Sequence, residues 1–328
     1  MSPDKRSPDK WSPDNTPGSD ALLLVGHGTV DEAGVAQFRA FTSRLADRLA
    51  DRGIDVAGGF IELSAPALTE SYNGLVDKGH RRLTAVPLVL VAAGHGKGDI
   101  PAALEREVRR NPGTSYVFGR PLGPHPTLLA MLAERIGEVV AERDRPRTAV
   151  LLVGRGSTDP DANAEVCKVA RLLQETQPYE FVESAFISLA KPSVGEGLER
   201  VRRLGAERVV VAPYFLFDGV LPQRVVSQSV DFGQSNPDID VRVAGYLGDC
   251  EDLVDVVLER YEEALAGDIR MNCDTCAYRV LLPGFEDKLG APQTPHHHPD
   301  DPSNGHGHDH GHGHGHGQGN GQVSGHVG

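Results

Sequence analysis

The run Leu23-Leu24-Val25-Gly26-His27-Gly28 returns in the second half of the chain as Leu151-Leu152-Val153-Gly154-Arg155-Gly156, identical but for one residue. The echo continues. Phe60-Ile61-Glu62-Leu63-Ser64-Ala65-Pro66 corresponds to Phe186-Ile187-Ser188-Leu189-Ala190-Lys191-Pro192, and Val86-Pro87-Leu88 to Ala212-Pro213-Tyr214. A period near 126 residues is far longer than the roughly 20–50 residues of a solenoid repeat, so each copy should be a complete small domain packed against the other. The cleft between two such copies is the natural place for a ligand.

Within each copy, short apolar runs alternate with amphipathic stretches, the signature of strands joined by crossover helices in a parallel sheet, an α/β fold. In the first copy the predicted strands span residues 21–25, 54–62, 83–91 and 115–118, with helices at 33–52, 66–79, 99–110 and 126–142. In the second, strands are predicted at 148–153, 180–187, 208–217 and 240–243, with helices at 161–176, 193–204, 220–232 and 250–266. Residues 1–19 mix repeated Pro with charge and hold one aromatic, Trp11, so a disordered leader is expected there. The expected organisation is therefore a leader at 1–19, a first half at 20–145, a second half at 146–267, and a tail of changed composition at 268–328.

A chain of 328 residues, 39% of them hydrophobic, can build packed cores in both halves. The apolar stretch from Leu83 to Ala93 is interrupted by Pro87 and is shorter than the ~20 residues a membrane span needs. The Ser-Pro-Asp unit repeated at Ser2, Ser7 and Ser12 leaves no apolar signal core, so a cytoplasmic protein is expected. A formal net charge of −13 argues against nucleic acid as a partner, because phosphate contacts need clustered Lys and Arg. An anionic small substrate would need a local basic pocket. Four cysteines, two of them spaced as Cys273-Asp274-Thr275-Cys276, suit reduced thiols that bind metal better than a disulfide framework.

His27 follows a buried strand between Gly26 and Gly28, at the carboxyl edge where open α/β sheets bind ligands. Those glycines could equally serve only a tight strand-to-helix turn. A second Gly-His-Gly, at Gly94-His95-Gly96, comes after the third strand, and Glu62 ends the second. In a parallel sheet all three lie on one edge, so two imidazoles and a carboxylate can converge into a ligand set suited to cobalt, nickel, iron or zinc rather than magnesium or calcium. The second copy places Arg155, Ser188 and about Leu221 at those positions, having lost the ligands. Arg155 would then either bind substrate carboxylates from the opposite wall or pair with a local acid such as Asp159. Neither copy shows G-x-G-x-x-G after its first strand, which sets aside a dinucleotide-binding enzyme.

These motifs resemble a known family. Gly26-His27-Gly28-Thr29, Gly59-Phe60-Ile61-Glu62-Leu63 with Pro66, and Pro87-Leu88-Val89-Leu90 leading to Gly94-His95 and Asp99-Ile100-Pro101 resemble the sirohydrochlorin chelatases, the class II tetrapyrrole chelatases of the CbiX type. Met271-Asn272-Cys273-Asp274-Thr275-Cys276-Ala277-Tyr278-Arg279, then Leu282-Pro283-Gly284-Phe285-Glu286 and Gly290-Ala291-Pro292-Gln293 before His296-His297-His298, is similar to the tail of the long, cobalt-associated form. The resemblance implies two flavodoxin-like halves around a cleft, with His27 and His95 handling metal and Glu62 as their acidic partner. It implies sirohydrochlorin and a divalent metal, cobalt in the cobalamin pathway, as the substrates. The macrocycle bears eight carboxylates, and Lys97 and Arg155 are the candidates to receive them. The same ligands could serve iron in sirohaem synthesis, and a metal store or metallochaperone would need only the tail.

Insertion displaces two pyrrole protons, and imidazole, with an unperturbed pKa near ~6.5, can ligate a metal or take a proton around neutrality. One histidine should hold the ion while the other, with Glu62, accepts protons. Cys273 and Cys276 supply half the ligands of an iron–sulfur cluster, and the resemblance implies such a cluster at this motif, completed across a homodimer. A mononuclear site with His296, His297 and His298 competes with it. Ten of the 14 histidines lie from His296 to His326 in a Gly-rich run, a composition that binds metal and could act as a reservoir beside the cleft.

Overall fold

The computed structural model describes residues 20–268, 278–280 and 283–291. The leader, Cys273 and Cys276, and the His-rich run lie outside the described residues. The first half runs β1 (Asp20–Gly26), α1 (Glu32–Ala50), β2 (Asp55–Phe60), α2 (Leu68–Asp77), β3 (Arg82–Pro87), a π-helical turn (His95–Asp99), α3 (Ile100–Arg110), β4 (Ser115–Phe118) and α4 (Pro126–Gly137). The second runs β5 (Ala149–Gly154), α5 (Pro160–Thr176), β6 (Val182–Phe186), α6 (Val194–Arg203), β7 (Arg208–Pro213), α7 (Val220–Ser235), β8 (Asp240–Val243) and α8 (Glu251–Leu265). Both sheets are wholly parallel, in the orders β2-β1-β3-β4 and β6-β5-β7-β8. This is the first part of the flavodoxin-like strand order, and its direction reverses between β1 and β3, where such sheets open a ligand crevice.

Central strands covered on both faces must be apolar throughout. In β1, Leu22 and Leu24 face one core while Ala21, Leu23 and Val25 face another, and all five are fully buried. β5 repeats the division, with Val150 and Leu152 on one side and Ala149, Leu151 and Val153 on the other. Burying each such Leu or Val stabilises the fold by about 1.5–3 kcal/mol. Local chemistry fixes the helix starts. Asp31 caps α1 by accepting from Gly34 N–H, and Asp159 caps α5, with Pro160 at its first position, by accepting from Asp161 N–H.

Each half has a core of its own on one face of its sheet, and the opposite faces share another. One continuous cluster draws residues from both sheets, because each half sends its last helix to the other: α4 packs on α5 and β7, and α8 packs on β3 and β4. The fully buried Arg260 of α8 fixes this exchange, donating to the Leu122 carbonyl at 2.9 Å and pairing with Glu263, which also takes Arg120 at 2.8 Å. Arg44 and Arg48 of α1, with Arg52 in the turn after it, meet Asp249, Glu251, Asp255 and Glu262 on and just before α8.

The strands match their predicted positions but four are shorter, among them 180–187, which spans only Val182–Phe186. Predicted strands 54–62, 83–91 and 208–217 end at Phe60, Pro87 and Pro213. The apolar residues beyond those points leave the sheet and still find a core: Leu88, Leu90, Val91, Leu216 and Phe217 pack between the halves. Apolar character there records the junction between halves rather than sheet.

Candidate metal site

Two loops at the carboxyl edge of the first sheet are stitched together residue by residue. Beyond β1 and β2 the ladder continues, with Glu62 N–H donating to the His27 carbonyl at 3.2 Å. Ser64 Oγ donates to the Thr29 carbonyl at 2.6 Å and accepts from Thr29 N–H at 2.9 Å. Ser64 N–H turns back to the Glu62 carbonyl at 2.8 Å across Leu63, whose φ of 65° makes this a strained γ-turn. Gly28, at φ 104°, lies so close that a Cβ there would fall 1.8 Å from the Glu62 carbonyl oxygen. The second half repeats the construction, with Leu189 at φ 59°, Ala190 N–H on the Ser188 carbonyl at 2.7 Å, and Gly156 against Ser188.

The stitching puts His27 Nε2 3.1 Å from Glu62 Oε1, each side chain 22% exposed. His27 Nδ1 is 3.0 Å from the Gly28 carbonyl, an atom that can only accept, so this contact is a hydrogen bond in the tautomer that carries its hydrogen on Nδ1. In that tautomer of neutral His27 the lone pair sits on Nε2 and faces a carboxylate oxygen. Two acceptors at that distance need a proton or a cation between them. With bonds of roughly 2.1 Å to each atom, a divalent transition ion would be held at an angle of about 95°, within reach of four- or six-coordinate geometry.

His95 opens the π-helical turn, a form of helix that recurs at functional sites. Its backbone lies on the same sheet edge, after β3; its side chain is outside the described residues, as are Cys273, Cys276 and His296 to His298. Among the described residues, no group of three or more His, Cys, Asp or Glu is placed to hold a metal. The described thiols are apart from one another in their contacts. Cys167 of α5 meets Ser184 Oγ at 3.3 Å, and Cys250 stands at the N-cap position of α8 without a side-chain capping bond. They form no four-sulfur set with which the described chain would fit an iron–sulfur cluster. The remaining described histidines are structural: His80 pairs with Asp55 at 2.7 Å, and His125 caps α4 and meets Glu259 at 3.0 Å.

Arg155 stands where His27 stands in the first copy. Its guanidinium reaches solvent yet is crowded by protein, which lowers its pKa, while the Glu62 carboxylate across the cleft works in the opposite sense. Its carbonyl accepts from Ser188 N–H at 2.9 Å, while the guanidinium makes no hydrogen bond or ion pair among the described residues. Asp159, the local acid considered as its partner, is otherwise engaged. Lys97 is placed differently from expectation: its Nζ is buried between Asp159 Oδ2 at 2.7 Å and Asp161 Oδ2 at 2.9 Å, across the junction of the halves. Burial by itself would lower the pKa of that ammonium, but the two carboxylates outweigh it and the net shift is upward. A charge so neutralised is not available to a substrate carboxylate. Leu221, roughly aligned with His95, lies in the first turn of α7, so the second copy replaces the π-helical turn by an ordinary helix start.

Glu165 of α5 is a residue the sequence did not single out. It accepts from Ala92 N–H at 2.9 Å, and burial, aided by Asp161, raises its pKa. An acid on an amphipathic helix reads as solvent-facing. The one available signal was its spacing of four from Asp161, which stacks two acids on one face of α5.

Two parallel sheets of one strand order, packed on a shared core and with His27 and Glu62 paired at the carboxyl edge of the first, define an α/β protein built of two similar halves. The chain belongs to the CbiX family: the CbiX family model matches residues 21–139 and again 149–264, once per half. It is 38% identical over 262 residues to a sirohydrochlorin cobaltochelatase of Priestia megaterium, covering 79% of this chain and 85% of that one. It is 32% identical over 206 residues to a sirohydrochlorin ferrochelatase of the same organism, covering 63% and 76%. Among solved structures it is similar to SirB from Bacillus subtilis with Fe3+, with a TM-score of 0.67, 27% identity, and coverage of 76% of this chain and 97% of that one. The sirohydrochlorin chelatase SirB of the spizizenii subspecies in complex with cobalt gives 0.65, 26%, 76% and 96%.

Proposed function

We propose that this protein is a sirohydrochlorin cobaltochelatase of the cytoplasm, inserting Co2+ into sirohydrochlorin with release of two protons. The observation that carries the reading is the His27 Nε2 to Glu62 Oε1 contact of 3.1 Å at the switch-point edge, an arrangement that holds either an ion or a proton. Cobalt, the metal substrate, is received by His27, Glu62 and His95. The macrocycle enters the cleft with its carboxylates toward Arg155, whose guanidinium has no competing ion pair among the described residues. As the ion passes to the ring nitrogens, the two pyrrole protons leave, and Glu62 and the imidazole it faces are the bases within reach. Ligation and proton acceptance are thus successive duties of one small set of atoms.

Iron is the alternative metal, supported by the likeness to ferrochelatases as well as cobaltochelatases. An iron–sulfur cluster at Cys273 and Cys276, completed across a homodimer, rests on spacing and resemblance, and no step of insertion runs through it. The deciding experiment mixes purified protein with sirohydrochlorin and, separately, Co2+, Fe2+ and Ni2+, and follows the visible spectrum. Insertion should be fastest with cobalt. His27→Ala and Glu62→Gln should each slow it by about 100-fold or more, the scale of losing a positioned acid–base group. Unchanged rates in both variants would remove these residues from the reaction.

A further inference from the structure

The second half has lost the histidines and the glutamate of the first, yet it keeps three acidic side chains trained on the one segment of the first half that carries His95. Glu165 accepts from Ala92 N–H at 2.9 Å, three residues before His95. Asp159 and Asp161, each under 4% exposed, grip Lys97, two residues after it. His95 therefore lies between two anchors, both supplied by the start of α5.

The segment needs holding. Beyond β3 the chain has left the sheet, and Gly94 and Gly96 flank His95, with nothing within 4 Å of a Cβ built at Gly94. Glycine on either side leaves the backbone many conformations to lose. Pre-ordering it demands contacts from outside the segment, and a metal ligand displaced by 1 Å loses much of its effect.

The anchors are not explained by stability alone. A carboxylate pushed to higher pKa by burial, as Glu165 is, costs the folded state free energy at neutral pH. Buried ion pairs such as Lys97 with two aspartates seldom repay their desolvation, and apolar replacement often does as well. What they do supply is a fixed geometry.

We propose that Glu165, together with Asp159 and Asp161 acting through Lys97, positions the His95 segment, so that the degenerate half serves as holder of the metal site in the other. These are positioning residues, remote from the reacting atoms. The inference rests on the chelatase reading above, and its failure is separable from the failure of that reading: if the unaltered full-length chain inserts no metal, the function is wrong, and if it does, the variants judge the holder.

The test measures kcat and the KM for cobalt in a metal-buffered assay of the full chain, beside the thermal midpoint. Glu165→Ala should raise the KM for cobalt about tenfold or lower kcat to a similar extent, with the melting temperature unchanged or higher. Glu165→Gln, which retains an acceptor for Ala92 N–H, should restore both constants to near the parent values. A triple replacement, Lys97→Met with Asp159→Asn and Asp161→Asn, removes the second anchor without stranding a buried charge and should impair insertion likewise. Parent-like kinetics in Glu165→Ala, or equal defects in Glu165→Ala and Glu165→Gln, would overturn the assignment of Glu165. A triple variant that folds and inserts cobalt at the parent rate would overturn that of the lysine clamp.

Discussion

Gly28 and Gly156 occupy matching turns in the two copies, and the physical demand on both is the same. Each has a positive φ, 104° and 86°, and at each a Cβ would stand 1.8 Å from a carbonyl oxygen, of Glu62 or Ser188. Alanine cannot be accommodated without parting the two loops. Gly28→Ala and Gly156→Ala should each cost on the order of 2–4 kcal/mol in urea unfolding, combining left-handed strain with backbone displacement. Gly94→Ala, with open space around it, should change stability by under about 1 kcal/mol. If Gly156→Ala unfolded at the parent urea midpoint, the close approach would be refuted. At this scale His27 and Glu62 were legible in the sequence because strand-end positions follow from the apolar pattern alone. Lys97 was not, since the aspartates that neutralise it lie some 60 residues away, on the other copy, and sequence spacing carries no record of that pairing.

The element pattern was legible nearly throughout, for the reason that central parallel strands must be apolar and their crossover helices amphipathic. The exchange of α4 and α8 was not. A helix that covers the neighbouring sheet has the same periodicity as one that covers its own, so nothing in residues 126–137 or 251–265 announces the destination. The consequence is testable. Residues 20–145 expressed alone would leave α4 without β7 and leave β3 and β4 without α8, exposing apolar surface such as Leu128, Met131 and Leu132. Two copies could cover it by trading α4 helices, a symmetric exchange of one element. The excised half should therefore elute as a dimer in size-exclusion chromatography with light scattering. A stable, cooperatively unfolding monomer would show that the shared core is dispensable.

Across the whole molecule the acid side of the stability curve is set by carboxylates that ionise more readily when folded. The Lys191 ammonium, with the N–H and hydroxyl of Ser193, holds Glu196 down to about 2. His80 lowers Asp55, Arg202 lowers Asp238 and Arg242 lowers Asp240. A carboxylate depressed in the folded state binds fewer protons there than in the unfolded chain, so its contribution is complete above the unfolded pKa and disappears as pH falls through the folded one. Glu165 has the opposite sign, favouring the folded state as acid protonates it, but it is one group against several. The melting temperature should accordingly hold down to about pH 5 and fall progressively toward pH 2. Glu196→Gln isolates one contributor. Its deficit relative to the parent should be present at pH 6, shrink as pH drops below the ordinary value of 4.5, and close near 2. A deficit of constant size across that range in scanning calorimetry would mean that Glu196 acts through packing or its neutral hydrogen bonds, and that the acid limb belongs to other groups.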